Sequence, residues 1–189
     1  MALTVPLKSE SSVRLLEYWD RLRGDRLRPH RSELDPAELK PILPYLAILE
    51  ARARDAFIYR LAGTAVREMV GAELTNLNLL DLTLPEGRRL RSWRLWTMAT
   101  RPCGSFYQMP LTYPGGAVNL HEGMLLPMAP DRAGSPPLLI GSLSPLKGGH
   151  WLNQDAMPRF GATLALAFFD VGAGIPDTTD PPEDYRLTD

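Results

Sequence analysis

Ser105-Phe106-Tyr107-Gln108-Met109-Pro110-Leu111-Thr112-Tyr113 runs into Pro114-Gly115-Gly116 and out again through Ala117-Val118-Asn119-Leu120-His121-Glu122-Gly123-Met124-Leu125-Leu126. Proline and glycine cluster where a chain must turn tightly, and the flanking runs are rich in aromatic and aliphatic residues, so the stretch predicts two strands and the turn between them. A third apolar run, residues 138–143, follows across Pro130-Asp131-Arg132-Ala133-Gly134-Ser135-Pro136. Three strands joined by such turns predict an antiparallel meander.

Upstream, residues 46–50 and 57–61 are short apolar runs separated by 51–56, and they predict an antiparallel pair. Gly63-Thr64 opens a helix over 65–70 that Gly71 closes. Residues 74–82 have no clear period and predict an irregular segment with one helical turn. Over 86–100, Leu90, Trp93 and Thr97 line one face of a longer helix, with Trp96 beside them and arginines on the remainder. Before all of these, Val13, Leu15, Leu16, Trp19 and Leu22 recur at helical spacing among Arg14, Glu17, Asp20, Arg21 and Arg23, and Gly24 supplies the stop. Asp35-Pro36 reads as an N-cap with proline at the first helical position. The predicted class is α+β: a five-stranded antiparallel sheet covered on one face by helices, with an N-terminal helical extension. The divisions are a flexible arm at 1–12, a helical lead-in at 13–44, the sheet domain at 45–145, an extension at 146–171 that packs on the domain, and a mobile acidic, proline-rich tail at 172–189. Within the extension, the apolar run 162–169 docks as a further strand or helix.

A chain of 189 residues with 44% hydrophobic and 23% charged side chains suits one packed domain with extensions. Its formal net charge of -1 supplies no overall field toward nucleic acid or anionic lipid. Cys103 is the single cysteine, which excludes an internal disulfide and suits a reducing compartment. The start lacks a secretory pattern, and the longest apolar run is far short of the roughly 20 residues that span a bilayer. The expectation is a cytoplasmic protein, neither exported nor membrane-spanning.

Local strings strengthen the fold reading. Tyr18-Trp19, Leu22-Arg23-Gly24, Arg26, Pro29, Arg31 and Asp35-Pro36 resemble the opening of a bacterial PAS family whose members are short and often stand alone. Tyr59-Arg60-Leu61-Ala62-Gly63-Thr64 with Gly71 resembles that family's second strand and the helix after it, and Glu122-Gly123-Met124-Leu125-Leu126-Pro127 its fourth strand. The resemblance covers residues 15–143 and implies a PAS-like five-stranded sheet used for signal sensing and protein association. A shared fold does not carry a ligand with it.

Glu122 shares a strand face with Val118, Leu120, Met124 and Leu126, so its carboxylate needs a partner. It reads as a polar anchor inside a ligand pocket, as a structural ion pair with an arginine such as Arg60, or as a strand-end position exposed to water. His30, His121 and His150 are scattered, which argues against haem or another metal. Cys103, in Arg101-Pro102-Cys103-Gly104, lacks the helical Asn-Cys-Arg context of flavin-reactive PAS proteins, so flavin is not expected either. The cofactor, if any, is unknown. The string from Arg88 to Trp96 interleaves cations with aromatics as nucleic-acid surfaces do, but its spacing reads better as a helix that buries tryptophans and exposes arginines. Arg21, Arg23, Arg26, Arg28 and Arg31 stand among as many acidic residues; they could hold an anionic ligand such as a nucleotide second messenger, and read better as structural ion pairs. No nucleophile elbow, phosphate loop or zinc-protease motif occurs, and no enzyme activity is expected.

The leading expectation is a non-catalytic regulatory module that binds an unidentified small molecule between sheet and helices and signals through an unidentified protein. Pocket or core lining is assigned to Tyr59, Leu61, Trp93, Met109, Leu111, Leu120, Glu122, Met124 and Ile140. The alternative is a pure interaction module with a filled core. In either case a homodimer through Leu15, Leu16, Trp19 and Leu22 is expected, and nucleic acid or membrane is not.

Overall fold

Six strand positions rather than five make up the sheet in the computed structural model, which describes residues 5–112, 118–146, 159–160, 163 and 165–188. Strands β1 (Leu46–Ala53) and β2 (Ala56–Ala62) meet across a two-residue turn, Arg54-Asp55, tighter than the expected six-residue link. β3 (Cys103–Thr112), β4 (Val118–Met128) and β5 (Leu138–Pro145) form the expected meander, although the Pro114-Gly115-Gly116 turn lies outside the described residues. The order is β2-β1-β5-β4-β3, and two later strands share the place beyond β3: β7 (Ala165–Asp170) along residues 103–108 and β6 (Arg159–Phe160) at residues 111–112. The apolar run 162–169 thus contributes a strand. Its close approach needs Gly104, where a Cβ would fall 2.1 Å from the Phe169 ring.

The sheet is covered on both faces, which corrects the expectation of one. Helices α3 (Thr64–Val70) and α4 (Pro85–Thr100) cover the inner face, over Leu49, Phe57, Tyr59, Leu125 and Leu139. Helix α1 (Glu10–Arg23) covers the outer face, with Leu15, Leu16 and Trp19 on Leu46, Ile48, Met124, Leu126 and Ile140. Alternation along β4 separates Leu125 from Met124 and Leu126. In β2 the alternation is broken once: Ile48 pairs with Leu61 and Leu49 with Tyr59, so Arg60 is an extra residue. This bulge turns Leu61 to the outer face while Tyr59 stays on the inner one.

α1 begins three residues before the expected start because Ser9 caps it, its side chain accepting from the Ser12 amide. Glu10 in its first turn and Arg21 and Arg23 in its last complement the helix dipole, and Gly24 at φ +56° ends it. α2 (Pro36–Leu39) starts at the expected Asp35 cap, whose carboxylate accepts from the Ala37 amide. Three of the five arginines of this region form ion pairs, Arg23 with Asp20 and Arg26 with Glu33 from the balancing acids, and Arg21 with Glu38 from α2.

Trp19 is 1% exposed, and its indole Nε1 donates to the Pro127 carbonyl at 3.0 Å. Burying a side chain of that size stabilises by on the order of 4–6 kcal/mol before the entropy of ordering it. The stripe expected at a dimer interface is therefore engaged within its own chain: Leu15, Leu16 and Trp19 are buried and Leu22 half-buried against the sheet. Trp19→Ala is expected to lower the unfolding free energy by about 3–5 kcal/mol. Val13→Ala, at an exposed position of the same helix, should change it by less than about 0.5 kcal/mol. Equal costs in denaturant titration would contradict this docking.

Candidate functional site

Helix α4 crosses the inner face of the sheet. Pro85 at its first position fixes the entry, and Leu95, Met98 and Ala99 are its buried apolar side chains. Arg91, Arg94, Leu95 and Met98 are spaced i, i+3, i+4 and i+7, so they share one side of the helix, and that side faces the sheet. Between them lies a cavity of about 240 Å³. Leu49, Tyr59, Leu125 and Leu143 form its floor, and Phe160 and Leu166 approach from the strands beyond β3. Leu84 and Glu86, both exposed, belong to the lining at the start of α4 and set its mouth there.

Polar groups enter this apolar space from two elements. On β3, Ser105, Tyr107 and Met109 alternate onto the cavity side. Tyr107 sits on glycine: a Cβ on its cross-strand partner Gly123 would fall 2.2 Å from the Tyr107 Cζ. Ser105 is fully buried, and its hydroxyl has no hydrogen-bond partner among the described residues. Burial, above all, pushes the Tyr59 and Tyr107 phenols up from their ordinary value, so both remain protonated near neutrality. From α4, Arg91 Nη1 donates to the Thr83 hydroxyl at 3.2 Å, and its guanidinium carbon lies 5.1 Å from the Phe160 ring centroid. Desolvation lowers the Arg91 pKa from its very high ordinary value, and the guanidinium stays charged.

Of the residues assigned to the pocket from sequence, Tyr59 and Met109 line the cavity, and Leu111 is buried in the core beside it. Leu61, Met124 and Ile140 belong to the outer face, and Leu120, two residues before Glu122, shares that face. Glu122 is no pocket anchor. Its carboxylate accepts from the Lys8 and Ser9 backbone amides at 2.9 and 2.8 Å and so fastens the entry to α1. Beside it, the Ser11 and Ser144 hydroxyls bond at 2.5 Å and those of Ser12 and Ser142 at 2.9 Å. Residues 8–12, expected in a flexible arm, are held by this polar row.

Trp93 also lies elsewhere. Its ring meets Tyr185 edge-on at 5.3 Å, on the side of α4 away from the cavity. Tyr185 is 5% exposed, and its hydroxyl bonds Ser92 Oγ at 2.7 Å. Arg89 Nε donates to the Tyr185 carbonyl at 3.1 Å, and Arg94 Nε to that of Thr179 at 3.0 Å. The segment expected to be a mobile tail is therefore strapped along α4 by an aromatic anchor and arginine donors. The α4 arginines expected to be exposed serve this strap and the cavity. Sequence reasoning misses Arg91, Arg94, Tyr107 and Ser105 as lining, although period 2 counted back from Met109 reaches Tyr107 and Ser105, and i−4 and i−7 counted back from Met98 reach Arg94 and Arg91.

His121 is fully buried with Nδ1 2.9 Å from the Asn119 carbonyl, and burial lowers its pKa, which keeps the ring neutral. No group of three His, Cys, Asp or Glu side chains that could hold a metal occurs among the described residues. The arrangement is an apolar space lined by a few hydrogen-bond donors.

The model of a family described as PAS domain matches residues 7–144. No curated protein matches the chain. Among solved structures it is similar to the Vibrio cholerae VqmA dimer, described for the DNA-binding mechanisms of LuxR-type receptors, at 16% identity and a TM-score of 0.42. The match covers 71% of this chain and 63% of that one, so this chain spans under two thirds of that structure.

Two outcomes test these placements. Glu122→Ala leaves the Lys8 and Ser9 amides without their carboxylate and is expected to cost about 1.5–3 kcal/mol of stability, with Glu122→Gln costing less; denaturant unfolding without loss would contradict the fastening role. Cys103 is fully buried, and desolvation above all pushes its thiol up to about 12. Alkylation at pH 8 is expected to be far slower in the folded protein than in denaturant, and equal rates would contradict that burial.

Proposed function

The chain belongs to the PAS-domain family, and from that premise we propose that it is a non-catalytic sensory or regulatory module, holding a small molecule between its sheet and α4 and passing the state of that site to a protein partner. The observation that carries this reading is the cavity of about 240 Å³ on the inner face. Protein interiors are close-packed, and a space of this size lined by apolar side chains with a few convergent polar groups is the usual form of a ligand site.

α4 is the element that links occupancy to the surface. Its inward side carries Arg91, Leu95 and Met98, and its other side holds Tyr185 through Ser92 and Trp93. Arg94 does both, lining the cavity and donating to Thr179. A ligand that shifts α4 must therefore repack the strap, and a partner that reads residues 179–187 reads the cavity. No described helix is long and apolar enough to cross a membrane, and the reading places the module in the cytoplasm. A second copy, if one binds, uses a surface other than the α1 stripe.

Native mass spectrometry of protein purified gently from its own host tests the reading. The expected mass exceeds that of the chain by one small molecule, which denaturation releases. Leu125→Trp, which places an indole in the cavity, should abolish the added mass while far-UV circular dichroism stays native. A chain mass with nothing bound would favour the pure interaction module. An added mass that survives in Leu125→Trp would put the ligand elsewhere.

A further inference from the structure

Two cations on the inward side of α4 line the cavity: Arg94, which also meets Asp180 at 3.9 Å and donates to Thr179, and Arg91, the one that says which ligands suit the space. Arg91 is held in a fixed pose. Its Nη1 donates to Thr83 Oγ1 at 3.2 Å, its Nη2 lies 3.9 Å from Met109 Sδ, and Phe160 packs against its plane. Thr83 donates its own proton to the Leu79 carbonyl at 3.1 Å, which leaves its oxygen lone pairs toward the guanidinium. The guanidinium keeps its charge against the cavity in this pose, and an anionic head group is what that charge favours.

The neighbouring polar groups have the same sense. Tyr59 and Tyr107 are protonated phenols that line the cavity. Ser105 is 0% exposed, lines the same cavity, and its hydroxyl has no hydrogen-bond partner among the described residues. A buried hydroxyl in that state is destabilising, and an acceptor on a ligand removes the penalty. Glu86, the carboxylate in the lining, is exposed at the start of α4 and so belongs to the mouth rather than the interior. At about 30 Å³ for each water-sized group, 240 Å³ takes a body of about eight such groups.

We propose that the occupant is an apolar monocarboxylic acid of about eight to ten non-hydrogen atoms in all, carboxylate included, with that carboxylate toward Arg91 and within reach of the Tyr59, Tyr107 and Ser105 hydroxyls. Its body lies along Leu95, Met98 and Leu125. The inference rests on the reading of the cavity as a ligand site and adds the ligand's chemical class.

Isothermal titration of the full chain at pH 7.5 with octanoate, 1-octanol and octylamine separates the possibilities, because the three share a body and differ in the head group. Octanoate is expected to bind at least about tenfold more tightly than 1-octanol, with octylamine weakest. Arg91→Gln should bring octanoate to the level of 1-octanol while leaving 1-octanol unchanged, and Ser105→Ala should weaken octanoate several-fold. If Arg91→Gln does not fold, the wild-type series and Ser105→Ala decide. On the wild type, 1-octanol or octylamine binding as tightly as octanoate would overturn the acid while leaving the cavity a ligand site. Octanoate binding that survives Arg91→Gln would overturn the assignment of its head group. Binding by none of the three would overturn the inference, and the mass of the host-purified protein would then decide separately whether the cavity is a ligand site.

Discussion

A single sheet with two apolar faces is the constraint on which the rest of this molecule depends, and alternation along β4 decides what each face holds. Met124 and Leu126 turn to α1, and Leu125 turns to α4. The α1 face is close-packed, with Trp19 tied to Pro127 and the serine row fastening the helix start. The other face carries a cavity of about 240 Å³. It opens to solvent beside Leu84 and Glu86, at the start of α4.

On the proposed reading, the inner face is the responsive one. α4 stands between the cavity and the C-terminal strap, and its arginines are divided between them: Arg91 inward, Arg89 to the strap, Arg94 to both. Arg91 and Arg94 are half-buried, and guanidinium groups withdrawn from water are positioned by what they donate to. A change in what Arg94 meets inside changes what it offers Thr179 outside, which is how a small ligand can alter a surface without a large rearrangement of the sheet.

Much of this was legible in sequence because it rests on local signals. The strand runs, the glycine stops at Gly24 and Gly71, the Asp35-Pro36 cap and the extra apolar run after β5 need only periodicity and turn chemistry. The site was less legible because its placement is tertiary. Glu122 was correctly seen as a carboxylate on an apolar face, but which face the cavity occupies depends on where α1 docks, and no local pattern records that. Leu61 was placed with Tyr59 by strict alternation, which the bulge at Arg60 breaks. Arg91 and Arg94 were read as solvent-facing because charge is ordinarily outside, and the tail was read as mobile because its composition hides one buried tyrosine. The helix stripe read as a dimer interface was a true apolar stripe whose partner is its own sheet.

The most direct measurement is hydrogen exchange on protein as purified from its host, compared with the same protein after denaturing extraction of small molecules and refolding. The division of the two faces predicts that extraction lowers protection in α4 and in residues 179–187 while the amides of α1 stay unchanged. Identical exchange in the two preparations, or a change confined to α1, would contradict it.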